Sequence, residues 1–224
     1  MQKHTTRMKN TLLILSGGLD SVTMLHEFRD SIALAVTFDY GSNHASREIE
    51  MAKKNCQKLG IRHIVIPLEF MRKHFSSSLL EGAEAIPEGD YRDETMRSTV
   101  VPFRNGIMLA ICAGLAESRE LGRIMLANHS GDHAIYPDCR PGFIGAMRDA
   151  IIAGTYNSIR LVAPYTEISK ADIVRRGVAN GVDFKLTYSC YKGGAKHCGR
   201  CGTCVERKEA FSLAGINDPT EYEE

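Results

Sequence analysis

Thr11-Leu12-Leu13-Ile14-Leu15, followed at once by Ser16-Gly17-Gly18-Leu19-Asp20-Ser21, decides the fold. Five apolar residues without polar alternation read as a strand buried on both faces, the habit of a parallel sheet. Ser-Gly-Gly then turns the chain into a helix over Asp20 to Arg29, with Val22, Leu25 and Phe28 on one stripe. Ile32 to Phe38 reads as a second buried strand, and Glu48 to Leu59 as a helix stopped at Gly60. Ile61 to Ile66 is a third strand, ended by Pro67. The order β-α-β-α-β predicts an α/β, Rossmann-like parallel sheet of about five strands with helices on both faces.

Beyond it, residues 69–101 have weak periodicity and read as an excursion or lid with one short helix near Met71 to Leu80. A long helix is expected from Arg104 to Glu120, then a strand from Arg123 to Ala127 and a polar loop from Asn128 to Pro141. A helix over Phe143 to Thr155, a fifth strand over Ile159 to Ala163 and a helix over Ser169 to Asn180 follow. Ser169 stands three residues before Asp172 in a capping-box arrangement. The expected division is an α/β domain over 1–186 and a C-terminal segment over 187–224 with a helix near Val205 to Ala214.

Composition excludes several classes. The 224 residues are 43% hydrophobic and 25% charged, an ordinary globular balance that can bury a core without staples. Lys+Arg 28 against Asp+Glu 27 leaves a net charge of +1, too little for strong non-specific binding of nucleic acid, so no stable nucleic-acid partner is expected. The longest nearly apolar run, Ile107 to Ala116, is short of the roughly 20 residues a membrane span needs. The opening MQKHTTRMKN has no apolar centre, so no secretory leader and a cytoplasmic location are expected.

Four of the seven cysteines, Cys190, Cys198, Cys201 and Cys204, follow C-x7-C-x2-C-x2-C. Two-residue gaps bring thiolates onto one ion, and four thiolates with no open position suit a structural Zn²⁺, one per chain. An iron–sulfur cluster takes the same ligand set. Cys56 and Cys112 fall in helical patterns and read as small core residues.

The glycine turn at a strand's carboxyl end places backbone amides and a helix N-terminus at an anion site. Ser16 and Ser21 could add hydroxyl donors; Asp20 could cap the helix or help hold Mg²⁺. SGGLDS resembles the pyrophosphate-binding loop of the PP-loop ATPases, and is neither a Walker A motif nor GxGxxG. That resemblance puts ATP on Leu15, Ser16, Gly17, Gly18, Leu19, Asp20, Ser21, Val22, Thr23, Met24 and Leu25, and on Thr37 and Phe38 at the second strand's end.

Three further places could hold substrate. Arg104, in Val101-Pro102-Phe103-Arg104-Asn105, sits at a helix start and suits phosphate through its fork. Tyr136, Asp138 and Arg140, in YPDCR, offer a ring, a carboxylate and a guanidinium for a heterocyclic base. Lys170 opens a helix within reach of phosphates. Singly, each reads as an ordinary surface group. In this order, SGGLDS, VTFDYG, VPFRN, YPDCR and the four cysteines resemble the 7-cyano-7-deazaguanine synthase family from about Thr11 to Leu213. The chain differs from the usual pattern at Leu19, at Ser42-Asn43 before His44, in a shorter first cysteine gap and in the NHSGDHAI stretch. The resemblance implies a carbon–nitrogen ligase that uses ATP and Mg²⁺ to join 7-carboxy-7-deazaguanine and ammonia, with Asp20, Lys170 and Arg104 as catalytic residues and a homodimer as the assembly. A relative that attaches a deazaguanine to a protein would share every one of these motifs, whereas a tRNA-thiolating PP-loop ATPase would need a catalytic cysteine and a basic RNA-binding surface, against which the net charge of +1 speaks. A partner-binding module without catalysis is the remaining reading, and the intact SGGLDS loop speaks against it.

Overall fold

A computed structural model describes residues 9–83, 85–89 and 96–223. Within them β1 (Thr11–Ile14), β2 (Ile32–Asp39), β3 (Arg62–Pro67), β4 (Arg123–Met125) and β5 (Arg160–Val162) form one sheet in the order β3-β2-β1-β4-β5. All pairings are parallel, with Leu12 of β1 opposite Leu34 of β2 and Ile124 of β4. The chain therefore winds outward from β1 to β3, returns, and winds the other way through β4 and β5. The reversal leaves a crevice at the carboxyl ends of β1 and β4, where ligands bind in open α/β sheets.

Alternate residues of the central strand feed two cores. Leu12 and Ile14 face one side, where they pack with α4 (Arg104–Ser118) and α5 (Pro141–Gly154). Leu13 and Leu15 face the other, with α1 (Leu19–Glu27), α2 (Ala45–Leu59), α6 (Lys170–Ala179) and α7 (Gly202–Ala214). This two-sided burial is why β1 shows no polar alternation. β3 lies at the edge and is only half-buried.

Several boundaries differ from the sequence reading for local reasons. The short helix of the excursion is α3 (Glu69–His74), earlier than expected, and Phe75 is extended. Ser78 N–H bonds to the Ser98 carbonyl at 2.8 Å, which takes that segment out of the helix. Leu79 is fully buried, Ser42 bridges to Leu80 and Glu88 bridges to Cys201, so the described part of 69–101 is stitched to the fold. Residues 84 and 90–95 of the expected lid lie outside the described residues. α5 starts at Pro141, since proline suits a first helical position. α7 starts at Gly202, with Cys201 as its N-cap.

The stretch Arg97–Ser118 has the length and hydropathy of a membrane span, yet half of it is buried within the fold. Phe103, at φ 52°, also separates the short turn Arg97–Thr99 from α4. It is a core helix.

Candidate active site

The turn after β1 is held by its own serines. Ser21 Oγ accepts the amides of Ser16 and Gly17 at 3.2 and 3.3 Å and donates to the Gly18 carbonyl at 3.2 Å. Ser16 Oγ accepts the Gly18 amide at 3.1 Å. The serines thus shape the loop before any ligand arrives. The first amides of α1 have no intrahelical acceptor and point out of its N-terminus.

Gly17 and Gly18 are required for different reasons. Gly17 has φ +93°, and a Cβ there would lie 2.1 Å from the Glu48 carbonyl oxygen, so the residue admits the backbone of α2. Gly18 has ordinary extended angles, φ −75° and ψ 166°, and borders an open cleft.

That cleft is partly open to solvent. Leu15, Ser16, Gly18, Leu19, Asp20 and Ser21 line one end, and Lys170 reaches it from the start of α6. Val22, Met24 and Leu25 point into the core and Thr23 is fully buried, so their side chains do not reach the cleft. Phe38 lines the cleft, whereas Thr37 turns its hydroxyl to the Leu15 carbonyl at 2.6 Å and pins the loop's base.

Around Lys170 the charges form a network. Its Nζ lies 2.5 Å from Glu206 Oε2 and 3.4 Å from Asp20 Oδ2, and these carboxylates hold its ammonium well above the usual lysine range despite burial. His129 Nδ1 accepts the Gly131 amide at 3.0 Å. Nε2 faces Asp132 at 3.5 Å, Glu206 at 3.6 Å and Asp20 at 4.0 Å. Among the described residues, Asp20 Oδ1 is buried without a hydrogen-bond partner.

The other end is aromatic and polar. Arg104 donates to Tyr40 Oη at 2.9 Å, with its guanidinium 5.5 Å from the ring centre. Tyr136 Oη lies 3.1 Å from Tyr191 Oη, and both rings line the cleft with Asn105, Asn128 and Tyr40. Asp138 does not reach it: buried, it accepts the Asn105 amide at 2.8 Å and so caps α4. Arg140 is exposed and braces its own loop, with Nε donating to the His133 carbonyl at 2.8 Å. Of the YPDCR residues expected to meet a base, Tyr136 alone stands in the cleft; Asp138 and Arg140 support it from behind.

The C-terminal segment supplies the third wall. Tyr188, Ser189, Tyr191 and Thr203 line the cleft, and Glu206 on α7 reaches Lys170. Arg207, fully buried, bonds Thr187 Oγ1 at 2.8 Å, Ser189 Oγ at 3.1 Å and the Phe184 carbonyl at 3.2 Å, fixing this wall to α7. Sequence reading missed these residues, with His44, Glu48, His129 and Asp132. The signals available were His44 and Glu48 one helical turn apart and Glu206 two residues past a metal-ligand cysteine.

Cys190, Cys198, Cys201 and Cys204 are buried, with their sulfurs within 4.8 Å of one another. Thiolates on one tetrahedral Zn²⁺ stand roughly 3.8 Å apart, so the set fits a single ion, whereas thiolates on different irons of a cluster spread farther. The amides of Cys198 and Cys201 point at Cys190 and Cys198 sulfurs, both at 3.3 Å, orienting the ligands.

Known proteins resemble this chain over most of its length. The family model described as queuosine biosynthesis protein QueC matches residues 10–215. The chain belongs to this family. The resemblance carried by SGGLDS, YPDCR and the cysteines is thereby confirmed over nearly the whole sequence. A 7-cyano-7-deazaguanine synthase of Porphyromonas gingivalis is 59% identical over 97% of this chain and 99% of the relative. Those of Rhizobium etli and Desulfotalea psychrophila are 50% and 48% identical, over 96% of this chain and 92% and 99% of theirs. Among solved structures, NMN synthetase from Francisella tularensis matches 93% of this chain and 78% of its own at 12% identity and a TM-score of 0.49, too slight a likeness to argue from.

Proposed function

We propose that this chain converts 7-carboxy-7-deazaguanine and ammonia to 7-cyano-7-deazaguanine, in queuosine biosynthesis, at the expense of ATP. The observation that carries the reading is one continuous cleft with a phosphate end, made by the SGGLDS turn and Lys170, and an aromatic end, made by Tyr40, Tyr136, Tyr191 and Arg104. Its relatives of near-equal length are named for that synthase activity. The substrate's bicyclic base lies among the tyrosines with its carboxylate toward the loop. Lys170 and the helix N-terminus stabilise charge growing on pyrophosphate as the carboxylate attacks the α-phosphorus. Ammonia then displaces AMP to give the amide, and a second activation expels the amide oxygen and leaves the nitrile. Asp20, whose Oδ1 is buried and has no hydrogen-bond partner among the described residues, suits Mg²⁺, which would neutralise phosphate charge. The four cysteines would hold a structural Zn²⁺. We place the protein in the cytoplasm, as a homodimer.

A tRNA-thiolating activity would need a reactive cysteine outside the metal set. Cys56, Cys112 and Cys139 are all buried, and burial pushes the Cys56 thiol up to about 12 and the other two higher still. None forms a thiolate near neutral pH.

The test is mass spectrometry of the products after incubation with 7-carboxy-7-deazaguanine, ammonium, ATP and Mg²⁺. Nitrile and AMP are the expected products. An amide that never dehydrates, or deazaguanine bound to a protein, would overturn the nitrile assignment, and the absence of any ATP-dependent change would overturn the small-molecule reading.

A further inference from the structure

Glu48 is a carboxyl in the cleft that neither the ion network nor the aromatic end uses. It lies in the first turn of α2, whose backbone packs on the phosphate loop so closely that Gly17 has no room for a side chain. The Glu48 side chain is 18% exposed and lines the cleft. A methyl placed on Gly18 would sit 3.9 Å from Glu48 Oε1 and 3.5 Å from the Tyr188 carbonyl oxygen. Two acceptors thus converge beside the loop, between the phosphate end and the tyrosines. Among the described residues, the nearest ionisable nitrogen to Glu48 is His44 Nε2, at 3.7 Å, beyond hydrogen-bonding distance.

We propose that Glu48 and the Tyr188 carbonyl bind the ammonium ion, and that Glu48 is the base that turns it into the attacking ammonia. The proposal rests on the ligase reading above. In the step, ammonium loses one proton to the Glu48 carboxylate, and the freed lone pair forms a C–N bond to the acyl carbon of the adenylate. The C–O bond to AMP breaks, its electron pair leaving on the phosphate. The second surplus proton passes from the new C–N nitrogen to water, and Glu48 returns its own proton through the open cleft.

The surroundings suit the task. Burial pushes the Glu48 carboxyl up to about 8, against a smaller opposing pull from Arg104. The ionisable groups around it are Arg104 from α4, which pulls its pKa down, Tyr40 beyond β2, whose phenol burial holds above its usual range, and His44 at 3.7 Å. Burial pushes His44 down to about 4, so it stays neutral and cannot replace ammonium as the counter-charge. A base poised near the working pH is the efficient one.

The experiment compares the chain with Glu48→Gln and Glu48→Asp in three assays. These are carboxylate-dependent ATP–pyrophosphate exchange, amide formation from ammonium, and hydroxamate formation from hydroxylamine, which is unprotonated at neutral pH. With Glu48→Gln, ammonium-dependent turnover is expected to fall ~10²-fold or more, while exchange and hydroxamate formation keep their wild-type order of magnitude. Glu48→Asp is expected to recover part of the ammonium reaction. Loss of exchange in Glu48→Gln would make the residue part of nucleotide or base binding and overturn the proposal, as would equal losses with both nitrogen nucleophiles. If the unaltered chain shows no carboxylate-dependent exchange, the ligase reading itself falls, and the proposal with it.

Discussion

Gly17 and Gly18 are neighbours in sequence, yet the structure assigns them separable tasks, and alanine at each position tells them apart. At Gly17, φ is +93° and a Cβ would lie 2.1 Å from the Glu48 carbonyl oxygen. Left-handed backbone costs a side-chain-bearing residue about 1–2 kcal/mol. Relieving the contact means moving α2 by close to an ångström, an overpacking penalty of about 1–3 kcal/mol. Gly17→Ala is therefore expected to lose about 2–5 kcal/mol, which for a chain of this size lowers Tm by roughly 5–15 °C. At Gly18 the backbone is ordinary, and the new methyl meets the Ser16 hydroxyl at 3.2 Å, the Tyr188 carbonyl oxygen at 3.5 Å and Glu48 Oε1 at 3.9 Å, of which only the hydroxyl is tight. Gly18→Ala is expected to change stability by less than about 1 kcal/mol, but its methyl fills the cradle meant for phosphate. ATP affinity is expected to fall about tenfold or more, a loss of ~1.4 kcal/mol. Thermal melts with and without ATP read both effects: Gly17→Ala melts low without ligand, while Gly18→Ala melts normally and loses the ATP-induced rise. The reasoning fails if Gly17→Ala melts within about 2 °C of the unaltered chain, or if Gly18→Ala melts as low as its neighbour.

Other expectations follow from the same geometry. Cys201→Ser removes one of four converging sulfurs and should abolish bound zinc, read as metal per chain by atomic emission, with soluble yield falling; full metal content would sink the four-thiolate assignment. Lys170→Ala leaves Asp20 and Glu206 facing each other without their cation and should lower kcat by about 10²-fold or more, measured by AMP release; unchanged kcat would exclude Lys170 from the reaction. Glu48→Gln should stabilise the fold, most clearly near pH 8. The folded carboxyl is raised from an ordinary 4.5 to about 8, so across that window the folded state binds the extra proton and stability falls as pH rises. Removing the carboxyl removes that loss, about 1 kcal/mol or more by pH 8. Denaturant unfolding at pH 5 and pH 8 measures it, and a gain no larger at the higher pH would contradict the burial argument.

The sheet was legible because its central strands are buried on both faces, so apolar runs such as Thr11 to Leu15 stand out from helices of period 3.6. The metal ligands were legible for a related reason, since convergence on one ion demands short gaps between cysteines. Asp138 and Arg140 looked like binding groups because YPDCR concentrates polar chemistry in one loop, but a loop also needs polar groups to close its own backbone. Asp138 spends its carboxylate on the amide of Asn105, and Arg140 its guanidinium on the His133 carbonyl. Glu48 was read only as the first residue of a helix, because its spacing from His44 is a weak mark; the close approach of α2 to Gly17 is what brings it beside the cleft. Glu206 was hidden likewise, since its partner Lys170 lies 36 residues away along the chain. Long-range approaches of this kind leave no periodic trace.

The wall formed by Tyr188, Ser189, Tyr191 and Thr203 sets an order of events during synthesis. β5 ends at Val162, so every strand of the sheet has left the ribosome before that wall exists. Until residues 188–206 follow, the phosphate loop is a shelf open on one side, with Lys170 lacking Glu206. A chain cut short after the sheet would keep its strands and its SGGLDS turn but would have no enclosed site in which to spend ATP.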